Sequence, residues 1–139
     1  SAAYTTTLTN ADFKYTSAPD VVVIYLGTND TRSKETSLDT FTSTYVEFVG
    51  KIRAMYPDCK VYVMESVSSD ATRRASVTEF ARAAYAALDE AYDNVSIINS
   101  YEWEIEGQAD GTHPTTAGSA VFAQKVAEVI AADYNITLD

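Results

Sequence analysis

The sequence predicts a three-layer α/β/α domain built on a parallel sheet, and three observations predict it. Short apolar runs alternate with longer stretches of helical periodicity, in the order β-α-β-α-β-α, the pattern of strands joined by helical crossovers. The first run, Val21 to Leu26, is continuous rather than alternating, as in a strand covered on both faces. The chain has 139 residues, 46% of them hydrophobic, which suits one core of ordinary size; residues 1–139 are read as one domain.

Each element has its own signal. Pro19-Asp20 punctuates the start of the first strand, and Gly27-Thr28-Asn29-Asp30 ends it. Leu38, Phe41, Tyr45, Phe48, Ile52 and Met55 then recur at three- and four-residue spacing, one face of an amphipathic helix. Thr36 with Asp39 is its expected cap, and Tyr56-Pro57-Asp58 its expected stop. The second strand is Val61 to Glu65. After the loop SVSSDATRRA, Ser76-Val77-Thr78-Glu79 has the form of a capping box. It opens a helix through Phe80, Ala84, Leu88 and Ala91. The third strand is Val95 to Ile98. Residues 99–114 form a long connection, and Pro114 stands near the start of the last helix, where its missing N–H costs least. Val121, Phe122, Val126, Val129 and Ile130 form that helix's apolar face.

Composition excludes several function classes. Twenty acidic and ten basic residues leave a net charge of −10, which argues against nucleic acid or an anionic membrane as a partner and is compatible with neutral substrates such as sugars. No apolar run approaches the length of a membrane span. No basic and apolar leader opens the chain, so a signal peptide is expected to be absent or removed. Cys59 is the only cysteine, so no disulfide forms within the chain and zinc sites built on several cysteines are excluded. Abundant Tyr, Thr and Ser give a secreted, extracellular flavour.

Right-handed crossovers place every loop that follows a strand at one rim of the sheet, where open α/β sheets bind ligands. Gly27-Thr28-Asn29-Asp30 lies on that rim, and so do Asp110 and His113. His113 is the only histidine. A carboxylate three residues before it can bond one ring nitrogen and fix the tautomer, leaving the other free to take a proton. Gly111 allows the tight turn between them. Asn29 offers a neutral amide donor suited to a developing oxyanion. Gly27 lets the chain leave the sheet and bring Asn29 into the cleft, while Asp30 is read as tying down the loop. A metal site on Asp30, Asp110 and His113 is the weaker alternative, with one histidine and two carboxylates on separate loops; no metal and no cofactor is expected. Tyr101 and Trp103 are candidates for stacking on a sugar face, or equally for packing beneath their loop. Arg32 is expected to pair with a nearby acid, and Arg73-Arg74 to be a solvated helix start.

Gly27-Thr28-Asn29-Asp30 resembles the third block, G-x-N-D, of the SGNH (GDSL-like) hydrolases, and Asp110-Gly111-Thr112-His113-Pro114 resembles their fifth, D-x-x-H. The texture of APDVVVIYLGTND and KIRAMYPDCKVYVM is similar to carbohydrate esterase family 2 acetylesterases. The resemblance spans nearly all the chain after residue 18. It implies a flavodoxin-like fold with strand order 2-1-3-4-5, of which this chain supplies strands 3, 4 and 5, a C-terminal and partial domain. It implies Asn29 as an oxyanion donor, His113 as general base then acid, and Asp110 as the group that orients it. The substrate class implied is an acetylated carbohydrate. The family's nucleophile is a serine in a G-D-S block, and no G-D-S occurs here. Ser66, Ser68 and Ser69 are read as loop and capping residues. The chain alone is therefore expected to be inactive, its serine supplied by a segment lying upstream. The alternative is a non-catalytic carbohydrate-binding or assembly fragment of the same fold. Without a first strand beside it, the edge at residues 21–26 is expected to self-associate, or to be covered by Tyr4 to Leu8.

Overall fold

Successive side chains of a strand point to opposite faces, and in the second strand both sets are buried. Val61 and Val63 face one side, Tyr62 and Met64 the other, each at most 1% exposed. A strand of this kind must be central and covered twice. In the computed structural model, which describes residues 18–138, it is. Three parallel strands run in the order β1 (Val21–Ile24), β2 (Lys60–Met64), β3 (Val95–Ile98). Val61 lies opposite Val22 on one flank and Val95 on the other. The strand order is the one expected for strands 3, 4 and 5.

Helices α1 (Leu38–Met55) and α2 (Ala71–Ala91) cover the Val61 and Val63 face. Phe41, Tyr45, Val49 and Ile52 of α1 and Ala81, Ala84 and Leu88 of α2 complete that core. Fully burying one such large aliphatic side chain is worth about 1.5–3 kcal/mol. Helix α3 (Thr116–Tyr134) covers the Tyr62 and Met64 face through Phe122, Val126, Val129 and Ile130. Asp133 pins its end, accepting from the Tyr62 hydroxyl at 2.7 Å and from Lys60 Nζ at 2.9 Å. Burial, then the bond to Asp133, pushes the Tyr62 hydroxyl up to about 12. Cys59 is buried and unpaired, a packing residue beside β2.

Several boundaries differ from expectation. β1 stops at Ile24, leaving Tyr25 and Leu26 outside the ladder. Val22 and Ile24 meet the α1 side, whereas Val23 is 38% exposed, so this strand is not covered on both faces throughout. Ser37, not Thr36, caps α1 by accepting the Thr40 amide. Helix α2 begins five residues before the anticipated Ser76, because Asp70 accepts the Arg73 amide at 2.8 Å and outcompetes the later capping box. Ser76 sits inside the helix and bonds back to the Thr72 carbonyl. Among the described residues no helix is long and apolar enough to cross a membrane. Tyr4 to Leu8 lie outside the described residues.

Candidate active site

The long connection after β3 is a loop closed on itself. An antiparallel bridge joins Gly107 to Pro114, the Gln108 amide donates to the His113 carbonyl at 2.7 Å, and the Thr115 amide donates to Glu106. Ala109 to Thr112 form the tip. Gly111 has φ +66°, the left-handed conformation that glycine adopts without a side-chain clash. That turn folds Asp110 back over the two residues that follow. Asp110 Oδ1 accepts the amides of Thr112 at 2.8 Å and His113 at 3.0 Å, and Oδ2 meets His113 Nδ1 at 2.6 Å. Since a carboxylate can only accept, Nδ1 carries the proton and Nε2 is left to act as a base. The His113 bond, with the two amides behind it, holds the Asp110 carboxyl well below the usual carboxylate range. The His113 side chain is 70% exposed, open to a substrate.

Gly27, three residues beyond β1, has φ +120°, another conformation that side chains avoid, and is buried against Phe41 and Val77. The chain then makes a single 3-10 turn over Asp30–Arg32. Gly27 accepts the Thr31 amide at 3.0 Å and Asn29 accepts the Arg32 amide at 3.2 Å, both through their carbonyls. The Asn29 side chain is exposed, and among the described residues it makes no hydrogen bond, so its amide stands as a free donor. Asp30 ties the turn through its carbonyl, which accepts the Ser33 amide.

The two loops touch. Arg32 Nη2 donates to Thr112 Oγ1 at 3.0 Å, across 80 residues of sequence, which sets the turn carrying Asn29 beside the loop carrying His113. Arg73 joins them, donating to the same Thr112 hydroxyl and to the Asp110 carbonyl at 3.0 Å. Arg32 therefore reaches a hydroxyl rather than an acid, and Arg73 is a part of the site rather than a solvated helix start. Arg74 is likewise half-buried, lying 5.2 Å over the ring of Tyr101.

Tyr101 and Trp103 have protein partners. Tyr101 has the guanidinium groups of Arg74 and Arg82 near its ring. Trp103 packs on the α3 side of the sheet, edge-on to Phe122 at 6.4 Å, with Lys125 Nζ 5.6 Å from its ring. Glu65, expected only as the end of the second strand, lies just past β2 and has a role in the site. It is 1% exposed, accepts Arg82 Nε at 2.6 Å and the Tyr101 amide at 2.9 Å, and so fixes the foot of the loop that ends in His113. The signal was present: an acid closing the most apolar strand at the ligand rim needs a buried partner.

The rim serines are occupied by their own loop and by the His113 loop beside it. Ser68 Oγ donates to the Gly111 carbonyl, and Ser66 Oγ accepts the Ser68 amide at 3.2 Å. Ser69 packs against Gly107. Among the described residues no hydroxyl is hydrogen-bonded to His113 Nε2. Nor do any three His, Cys, Asp or Glu side chains among them gather as a metal would require.

Residues 3–121 match the GDSL-like Lipase/Acylhydrolase family. No curated protein sequence matches the chain. Solved structures share its fold, among them the following three. One is a carbohydrate esterase family 2 enzyme with a carbohydrate-binding domain from Corynascus thermopiles (Myceliophthora fergusii), with TM-score 0.67, 25% identity, and coverage of 91% of this chain and 40% of that one. Another is a family two carbohydrate esterase from Clostridium thermocellum, an active-site mutant, with TM-score 0.69, 19% identity, and coverage of 87% and 38%. The third is a salicylyl-acyltransferase of a tetracycline biosynthetic pathway, with TM-score 0.65, 22% identity, and coverage of 81% and 37%. The chain thus spans about two fifths of the length of the structures it matches.

Proposed function

The chain belongs to the GDSL-like lipase/acylhydrolase family, and from that premise we propose that it forms the histidine side of a serine ester hydrolase, one that removes acetyl groups from carbohydrate. The observation that carries the reading is the 2.6 Å contact of Asp110 Oδ2 with His113 Nδ1, made by a loop that Arg32 ties to the turn bearing Asn29. The likeness to two family 2 carbohydrate esterases supports the substrate class.

In this mechanism a serine from outside residues 18–138 attacks the acyl carbon, and His113 Nε2 takes its proton. Asp110 holds the ring by its Nδ1 proton and stabilises the cation that forms. The Asn29 amide donates to the oxyanion; one such donor is typically worth about 3–4 kcal/mol in the transition state. The imidazolium then gives its proton to the departing alcohol. Water, deprotonated by His113, attacks the acyl-enzyme and releases the acid and the free serine. Residues 18–138 bring no nucleophile to His113 and no G-D-S occurs in the sequence, so in this reading the serine comes from another segment and the chain alone is inactive. A secreted enzyme fits a polysaccharide substrate.

The test is hydrolysis of p-nitrophenyl acetate and of an acetylated oligosaccharide by the full-length gene product, with and without chelator. Chelator-insensitive turnover that disappears in His113→Ala is expected. Sugar binding without turnover would favour a non-catalytic carbohydrate-binding role, and turnover that survives His113→Ala would sink the proposed mechanism.

A further inference from the structure

Four of the chain's ten basic residues lie along the loop that leads to His113, in a chain whose net charge is −10: Arg32 and Arg73 contact its tip at Thr112, and Arg74 and Arg82 lie near the ring of Tyr101 at its start. Arg82 is matched by Glu65. The other three have no carboxylate of a described residue within salt-bridge reach. Arg32 and Arg73 instead converge on one neutral oxygen, the Thr112 hydroxyl, and Arg73 adds the Asp110 carbonyl. Arg74 lies over Tyr101, with its Nε buried and without a hydrogen-bond partner among the described residues.

The acids nearby are committed elsewhere. Asp110 is engaged by the His113 ring and two amides. Asp70 caps α2 through the Arg73 amide; that bond first, and then the charges of Arg73 and Arg32, hold its carboxyl below the ordinary value. Arg73 and Arg74 also occupy the first turn of α2, where the helix dipole opposes cations. In an acid-rich chain, guanidinium groups could have been neutralised locally; here two of them aim at the hydroxyl of Thr112, the residue before His113. Guanidinium forks of this kind match carboxylates and similar anions.

The geometry points to an anionic substrate: the ester hydrolysed here carries a carboxylate or another singly charged anionic group, held by Arg32 and Arg73 across Thr112, one residue from His113. The inference rests on the ester-hydrolase reading and names its substrate class. The anion belongs either to the sugar, as in an acetylated uronic acid, or to the acyl group, as in a succinyl ester, in which case succinyl replaces acetyl as the group removed. The binding chemistry is the same.

Three esters distinguish the cases with the full-length protein: an O-acetylated neutral glucoside, the matching O-acetylated glucuronide, and the hemisuccinate of the neutral glucoside. One acidic ester is expected to exceed the neutral one in kcat/KM by about tenfold or more at low salt, and to lose that advantage as ionic strength rises. The arm that gains identifies the side bearing the charge. Arg73→Gln is expected to reduce the acidic-to-neutral ratio about tenfold, and Arg32→Lys, which keeps the charge but not the fork, by less. Should Arg73→Gln fail to fold, Arg32→Gln, at the exposed last residue of the 3-10 turn, gives the same readout. Equal kcat/KM for all three esters, or an unchanged ratio in folded variants, overturns the inference and leaves the hydrolase reading intact. Turnover of none of them overturns the hydrolase reading itself.

Discussion

The buried carboxylate of Glu65 accepts the Tyr101 amide at 2.9 Å, joining the end of the central strand to the first residues of the loop that ends in His113. Its other oxygen holds Arg82 at 2.6 Å, and its carbonyl accepts the Ser100 hydroxyl at 2.7 Å. Removing Glu65 would orphan a part-buried amide and release an arginine that is already 61% exposed and can return to water. The loss is therefore nearer the cost of an unsatisfied hydrogen bond than of a broken buried ion pair. Glu65→Ala is expected to lower unfolding stability by about 1–3 kcal/mol, and Glu65→Gln, which keeps an acceptor, by less. Urea titration of both variants checks this; equal effects of the two would show that the acceptor is not what matters.

The Asp110 carboxyl is held below its ordinary value of 3.8, first by the His113 ring, then by the amides of His113 and Thr112. A carboxyl depressed by folding stabilises the native state above its unfolded pKa. That contribution is lost as pH falls below about 3.9 toward the native pKa. The loop should accordingly keep its geometry at neutral and mildly acidic pH and loosen only in stronger acid. Carbon-13 NMR of the Asp110 carboxyl is expected to show a midpoint below 3.8. His113→Ala should move the midpoint back upward. A wild-type midpoint at or above the ordinary value would contradict the hydrogen-bonded geometry.

Strand existence was legible from apolar runs, and Val95–Ile98 lies where its residues predict. The layering was legible too, because Val61 to Met64 offer no polar face and demand cover on both sides. Helix ends were less so. Asp70 and Ser76 both have capping chemistry, and local propensity does not say which wins; Asp70 caps α2, and Arg73 in that first turn also contacts a loop almost forty residues away. The same is true of the site. Asp110 and His113 are three residues apart and can be paired on paper. Arg32 with Thr112, and Glu65 with Tyr101, are pairings made by tertiary approach alone.

Gly111→Ala tests the turn that folds Asp110 onto His113. At φ +66° an L side chain is strained, and a Cβ there would stand 3.0 Å from the Cβ of Asp70. Both effects act on the same exposed tip, and the left-handed conformation costs a non-glycine residue roughly 1–2 kcal/mol. The variant is expected to lose about that much stability. In the full-length enzyme it should lose kcat more than it raises KM, because the ring rather than the substrate is displaced. Denaturant midpoints and steady-state kinetics check the two halves. Wild-type kcat with reduced stability would separate the turn from the chemistry.

Among the described residues β1 pairs with β2 alone, and Val23, Tyr25 and Leu26 beside its open edge are 38%, 37% and 39% exposed. An apolar edge of this kind is a template for another strand, because its unpaired N–H and C=O groups already point outward. Isolated 139-residue chain is therefore expected to self-associate through residues 21–26, unless Tyr4 to Leu8, outside the described residues, cover the edge. Sedimentation equilibrium separates the two. Association that weakens roughly tenfold or more in Val23→Lys, a charge placed on the edge strand, marks pairing between copies. A monomer that begins to associate when residues 1–10 are deleted marks the covering segment. If the chain is monomeric in both forms and keeps its parallel sheet, the open edge is tolerated without a partner, and neither expectation stands.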